Sequence, residues 1–240
     1  MFPYDPTLAA AVANAPGSVP QVVQILETID ATCVDTDGLK WFNWLYLQVT
    51  QAVHTRVQTP GGLTDPAWIT ALDVEFAGFY FAAIRSSLTA NSTPGCWQAL
   101  FNVRSRADLT RIQFAFAGMN AHINHDLPQA IAATCQRTGI EPQHGTPQYN
   151  DFTALNTTLD GIIETAKQEL NVRLPGDALP QATRLEDVLA AWSIAEVREA
   201  AWKNAEVLWH LKDLGPVSDA FLDSVDATTA VASKTLLVPV

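Results

Sequence analysis

The segment Phe116-Ala117-Gly118-Met119-Asn120-Ala121-His122-Ile123-Asn124-His125-Asp126-Leu127-Pro128 carries the chemistry most visible in this chain. Ile112, Ala115, Phe116, Met119, Ile123 and Leu127 recur at steps of three and four, the period of a helix with one face turned to a core. His122 and Asp126 fall on that same stripe, four residues apart. A carboxylate and an imidazole sealed among apolar side chains cost several kcal/mol unless they are paired, hydrogen-bonded or metal-bound. A second stripe, Ile69, Leu72, Phe76 and Tyr80, includes Asp73 in the same way.

Three readings follow. His122, Asp73 and Asp126 could form a catalytic set, with His122 as general acid/base and a carboxylate orienting it. His122 and Asp126 have the spacing to hold one divalent metal, zinc or magnesium, through one nitrogen and one oxygen. The third reading is a buried hydrogen-bond network with no chemistry. Asn120 and Asn124 form a parallel polar row, and with Tyr80 they are the candidate substrate-binding groups. Asn156, Asp160 and Glu164 place three oxygen ligands at i, i+4 and i+8, the spacing of a magnesium helix in class I terpene cyclases. Asn156 is therefore a further candidate for substrate binding. No Asp-Asp-x-x-Asp partner motif occurs in the chain, so a diphosphate clamp is incomplete. His125, one position off the stripe, reads as a solvated helix residue, and His144 as a loop residue.

The elements that must position these groups are helices. Period-2 runs are absent. Helices are expected over residues 19–34, 40–57, from Asp65-Pro66 onward, 97–103, 108–136, 149–170 and 185–214, with a short helix in the tail after Val217. Asp65 followed by Pro66 is a helix start by residue type. Pro128 lies inside the long helix, and its missing N–H predicts a kink or stop beside His122 and Asp126. The expected architecture is all-α, a single bundle-like domain over 1–240 of about six to eight helices, with residues 1–18 and 221–240 peripheral.

Composition narrows the partners. The chain is 48% hydrophobic and 16% charged, with a net charge of −11 and scattered basic residues, which argues against nucleic acid and anionic membranes. No apolar run reaches the ~18–20 residues of a membrane span. The apolar excess then lies inside, around a pocket for a small apolar or amphipathic molecule, or at a homo-oligomer interface. The N-terminus lacks a basic and an apolar leader region, which reads as cytoplasmic. Cys33, Cys96 and Cys135 show no C-x-x-C spacing and read as reduced structural thiols.

Asp37–Thr50, Leu72–Ala77 and Ile112–Pro128 resemble a bacterial and fungal family, the domain of unknown function 5995, over most of residues 20–210. That resemblance brings no activity. A fainter one links His122, Asp126 and Pro128 to the zinc-dependent phospholipase C and P1 nuclease group, all-α enzymes with a His-x-x-x-Asp zinc segment. Here proline comes early, no histidine follows it and no second His-x-x-x-Asp occurs, which leaves room for one metal rather than three. The functional expectation is a small-molecule enzyme, a hydrolase in preference. The alternatives are a non-catalytic ligand-binding or interaction protein and a terpene-cyclase-like enzyme.

Overall fold

The computed structural model describes residues 2–89, 91–170 and 192–239, and among them there is no strand. The order is α1 (Asp5–Ala11), α2 (Val19–Thr32), α3 (Gly38–Gln58), α4 (Pro66–Leu88), α5 (Gly95–Phe101) and α6 (Arg111–Ala121). A π-helical turn (His122–Asp126) follows, then α7 (Leu127–Thr138), α8 (Pro147–Ala154), α9 (Asn156–Leu170), α10 (Ile194–Leu211) and α11 (Gly215–Leu236). The all-α expectation holds.

Local chemistry sets the boundaries. Asp65 caps α4 by accepting from the Trp68 N–H, with Pro66 at the first helical position. Thr110 and Gln113 form a reciprocal capping box at the start of α6. Gly139 ends α7 in the left-handed region at φ 69°. Ser193 caps α10, and the residues 185–191 expected to precede it in that helix lie outside the described residues.

Three expectations need correction. Residues 149–170 are not one helix but α8 and α9, which divide at Leu155. The tail forms the 22-residue α11 rather than a short helix. The chain ends, expected to be peripheral, also send side chains into the fold: Leu8, Val12 and Ser233 are fully buried, and Thr229 and Ala230 are nearly so. Near the N-terminus, buried Arg104 binds Asp37 through two nitrogens and Asp5 at 3.0 Å, and Tyr4 adds its hydroxyl to Asp37 at 2.9 Å. That network ties the first turn of the chain to the start of α3.

Helix α3 packs on α6, α4 and α10 on α7, and α11 on α5 and α6. The α3–α6 contact is as close as backbone permits. A Cβ on Gly118 would meet the Phe42 ring at 2.3 Å, and one on Gly38 would meet Phe114 at the same distance. His122 sits one turn beyond Gly118, so this approach sets how deep its imidazole goes. Helix α4 is long and apolar enough to cross a membrane by length and composition, and half of that window is buried inside the fold. It serves here as a core helix.

Candidate functional site

The site is built on the π turn. The Leu127 N–H bonds the His122 carbonyl, five residues back, immediately before Pro128. Proline cannot supply its own N–H, and the wider turn is how the helix passes it without stopping. The expected disturbance beside His122 and Asp126 is therefore a local widening. Its side effect is rotational, because a π turn holds more residues per revolution than an α turn. His125, off the stripe on an ideal helix, comes inside with 8% of its surface exposed. The reading of His125 as solvated is corrected by this phase shift.

Asp126 is the hub. Its Oδ2 accepts from His122 Nδ1 at 2.9 Å and Trp97 Nε1 at 3.0 Å, and its Oδ1 from His125 Nδ1 at 2.6 Å. Burial alone would raise its pKa, but hydrogen bonds from both histidines outweigh this and hold it below the usual carboxylate range. An ionised carboxylate only accepts, so both histidines carry hydrogen on Nδ1 and turn Nε2 outward. The two rings then differ. His122 is stacked on Phe76 at 3.5 Å and edged by Tyr46 at 4.6 Å, with Phe42, Tyr80 and Trp97 within 6.0 Å. Burial lowers its pKa against the pull of Asp126, and its Nε2 has no partner. Burial acts on His125 in the same direction, but the hydrogen bond and charge of Asp126, with the charge of Asp226, raise its pKa overall.

His125 and Asp126 line a cleft of about 480 Å³ with Phe79, Ser86, Asn91 and Gln129. Beside His122 there is instead a space of about 50 Å³ among Phe42, Tyr46, Phe76, Met119 and Leu127. That space holds a few water molecules at most, whereas the cleft has the size of a small-molecule site. The accessible nitrogen of the pair is on His125.

The other expected residues make no hydrogen bond to the pair. Asp73 hydrogen-bonds neither His122 nor Asp126. One of its carboxylate oxygens is buried without a partner, and burial pushes its pKa up to about 7. Asn120 donates to the Thr229 carbonyl and Ser233 Oγ, and Asn124 donates to Asn120, so this row fastens α11 to α6. Tyr80 stays in the core with its hydroxyl on Asn43 at 3.4 Å. Asn156 accepts from Arg198, while Asp160 and Glu164 point to solvent, so the three oxygens of that row do not converge. His122 and Asp126 bond each other, and Asp126 accepts from three N–H donors, which occupy three of its roughly four lone-pair sites. Its geometry is that of an orienting group, not of a metal ligand beside His122.

Sequence reasoning missed Trp97, Cys96 and Asp226. Both carboxylate oxygens of Asp226, on α11, cap α5 by accepting from the Gly95 and Cys96 N–H groups at 2.7 and 2.9 Å. The Cys96 thiol is fully buried, and a ligand atom from each of Cys96, His125 and Asp226 lies within 4.8 Å of the other two. No local spacing announces partners 130 residues apart. His144, read as a loop residue, places Nδ1 on Glu206 and Nε2 on Glu199 at 2.8 Å each, clamping its loop to α10.

Among known proteins, no curated sequence and no solved structure matches this chain. A family model does, over residues 19–239, which takes in every helix that builds the site. The chain belongs to that family, the family of unknown function DUF5995.

Proposed function

We propose that this protein is a hydrolase of small, amphipathic molecules, acting in the cleft beside His125. The observation that carries the reading is the relay His122–Asp126–His125, which ends in an imidazole nitrogen at a cleft of substrate size. Asp126 fixes the His125 tautomer and supports positive charge on the ring, the part a carboxylate plays beside a catalytic histidine. His122 and Trp97 hold Asp126 from the buried side, which marks them as positioning residues. The cleft offers apolar surface at Phe79, Ala82 and Ala83, with Ser86, Thr89 and Asn91 as hydrogen-bonding groups. A molecule with one polar end suits that lining. Hydrolysis needs only water activated by this nitrogen.

The test is turnover of chromogenic p-nitrophenyl carboxylate, phosphate monoester and phosphate diester probes by the purified chain. The expected result is hydrolysis of one class, lost at least 100-fold in His125→Ala when assayed well below the melting temperature of that variant, which loses a donor to buried Asp126. Saturable binding of the probes without turnover would establish the ligand-binding alternative instead.

A further inference from the structure

We infer that Cys96, His125 and Asp226 form a binding site for one divalent transition-metal ion, zinc above all, beside this cleft, which His125 lines. As an account of catalysis the inference rests on the hydrolase reading and moves the activation of water from the His125 nitrogen to the metal, because one lone pair cannot serve both; as a binding site it stands alone.

The donor set is one sulfur, one nitrogen and one carboxylate oxygen, with the three atoms within 4.8 Å of one another. That mixture suits a borderline ion such as zinc and disfavours magnesium and calcium, which take oxygen almost exclusively. Three protein ligands leave a fourth tetrahedral position for water, the pattern of catalytic rather than structural zinc.

Each ligand is also held from behind. His125 is oriented through Nδ1 by Asp126, the carboxylate–histidine arrangement that supports metal-bound imidazoles. Asp226 is oriented by two backbone N–H groups and also accepts from the Cys96 thiol, whose proton is lost on metal binding, freeing that carboxylate lone pair. Cys96 is fixed in the first turn of α5 and fully buried. The charges agree. Asp126 and Asp226 bring two negative charges, and among the described residues no lysine or arginine pairs with either. Binding replaces the thiol proton by the metal and releases that proton to solvent, giving Cys96–S⁻, His125 Nε2 and Asp226 carboxylate around the ion. Water on the fourth position then loses its proton near neutral pH and supplies the nucleophile.

The test uses purified full-length protein, stripped with chelator and reloaded with zinc or cobalt(II). The expected result is one zinc per chain by elemental analysis. Cobalt should give a near-ultraviolet thiolate charge-transfer band together with intense visible bands of tetrahedral geometry. The thiolate band should persist in a Cys33→Ala/Cys135→Ala double variant, whose remaining cysteine is Cys96. It should vanish in Cys96→Ser, with cobalt affinity falling at least 10-fold in His125→Asn. Absence of stoichiometric metal in the wild type, or a thiolate band lost from the double variant, overturns the site even if Cys96→Ser fails to fold. The two readings separate cleanly. Zinc bound without hydrolysis of any probe refutes the hydrolase and leaves the site, while undiminished hydrolysis by metal-free protein refutes the metal's part in the reaction.

Discussion

Asp73 gives the sharpest test of the energetics. It lies on the buried face of α4 with 8% of its surface exposed, one oxygen unpartnered, and a pKa near 7 in place of an ordinary 3.8. Replacing it with Asn keeps the shape and removes the ionisation. The sign follows from linkage. A carboxylate raised in the folded state adds no penalty below about pH 3, where both states are protonated, little at pH 4, and a growing one above it as the unfolded state ionises first. The penalty levels off above about pH 7. A shift of about three units at 1.36 kcal/mol each sets a ceiling of about 4 kcal/mol. Residual solvent access brings the expected value to about 2 kcal/mol. Urea denaturation of wild type and Asp73→Asn at pH 4, 5, 6, 7 and 8 should therefore show near-equal stability at pH 4. The variant should gain progressively up to pH 7 and hold a constant advantage above it. In melting temperature this is roughly 4–8 °C at pH 8. A variant less stable than wild type at pH 8, or an advantage independent of pH, would refute the account of an unpaired carboxylate.

Further predictions concern packing and charge. Gly118→Ala should push α6 from α3 against Phe42 and cost about 1–3 kcal/mol, read as a lower urea midpoint with unchanged slope. His122→Phe keeps the stack on Phe76 but removes a donor to buried Asp126. It should cost about 1.5–3 kcal/mol in the same assay. The His144 clamp should stabilise most between roughly pH 4.5 and 6.5. Its hydrogen bonds to Glu199 and Glu206 raise the histidine pKa, so its part fades as pH rises through that value. The lowered Glu199 pKa makes the carboxylate's part fade in acid. His144→Gln should be less stable than wild type inside that window and equal to it at pH 8.5. Because the clamp is nearly half exposed, the difference should stay below about 1 kcal/mol.

A helix start was readable at Asp65 with Pro66, and the start at residue 19 follows the Ser18 cap, whereas the Thr110–Gln113 capping box went unread and that helix was expected from residue 108. The His122–Asp126 pair was readable because both partners sit on one face of one helix. His125 was not, since an ideal 100° wheel turns it outward, and Pro128, the sign of a widened turn, fixes no rotation by itself. Asp73 was correctly seen as buried, but burial on a stripe says nothing about the neighbouring helix, and no described group meets it there. The length of α11 escaped notice because its first turns hold exposed Asp, Ser and Val rather than a continuous apolar stripe. Asp226 was invisible for a plainer reason: its contacts are with a backbone 130 residues earlier.

The capping of α5 by Asp226 has a consequence for the order of synthesis. Cys96 and the π turn leave the ribosome well before α11 exists, so a nascent chain carries the thiol and the imidazole without the carboxylate that completes their company. The first turn of α5 likewise waits with two backbone donors unmet. A chain cut anywhere upstream of residue 226 loses the cap and the third ligand in one stroke. Assembly of the proposed centre therefore requires synthesis through residue 226, and products of stalled translation or proteolysis that end before it are expected to lack that centre.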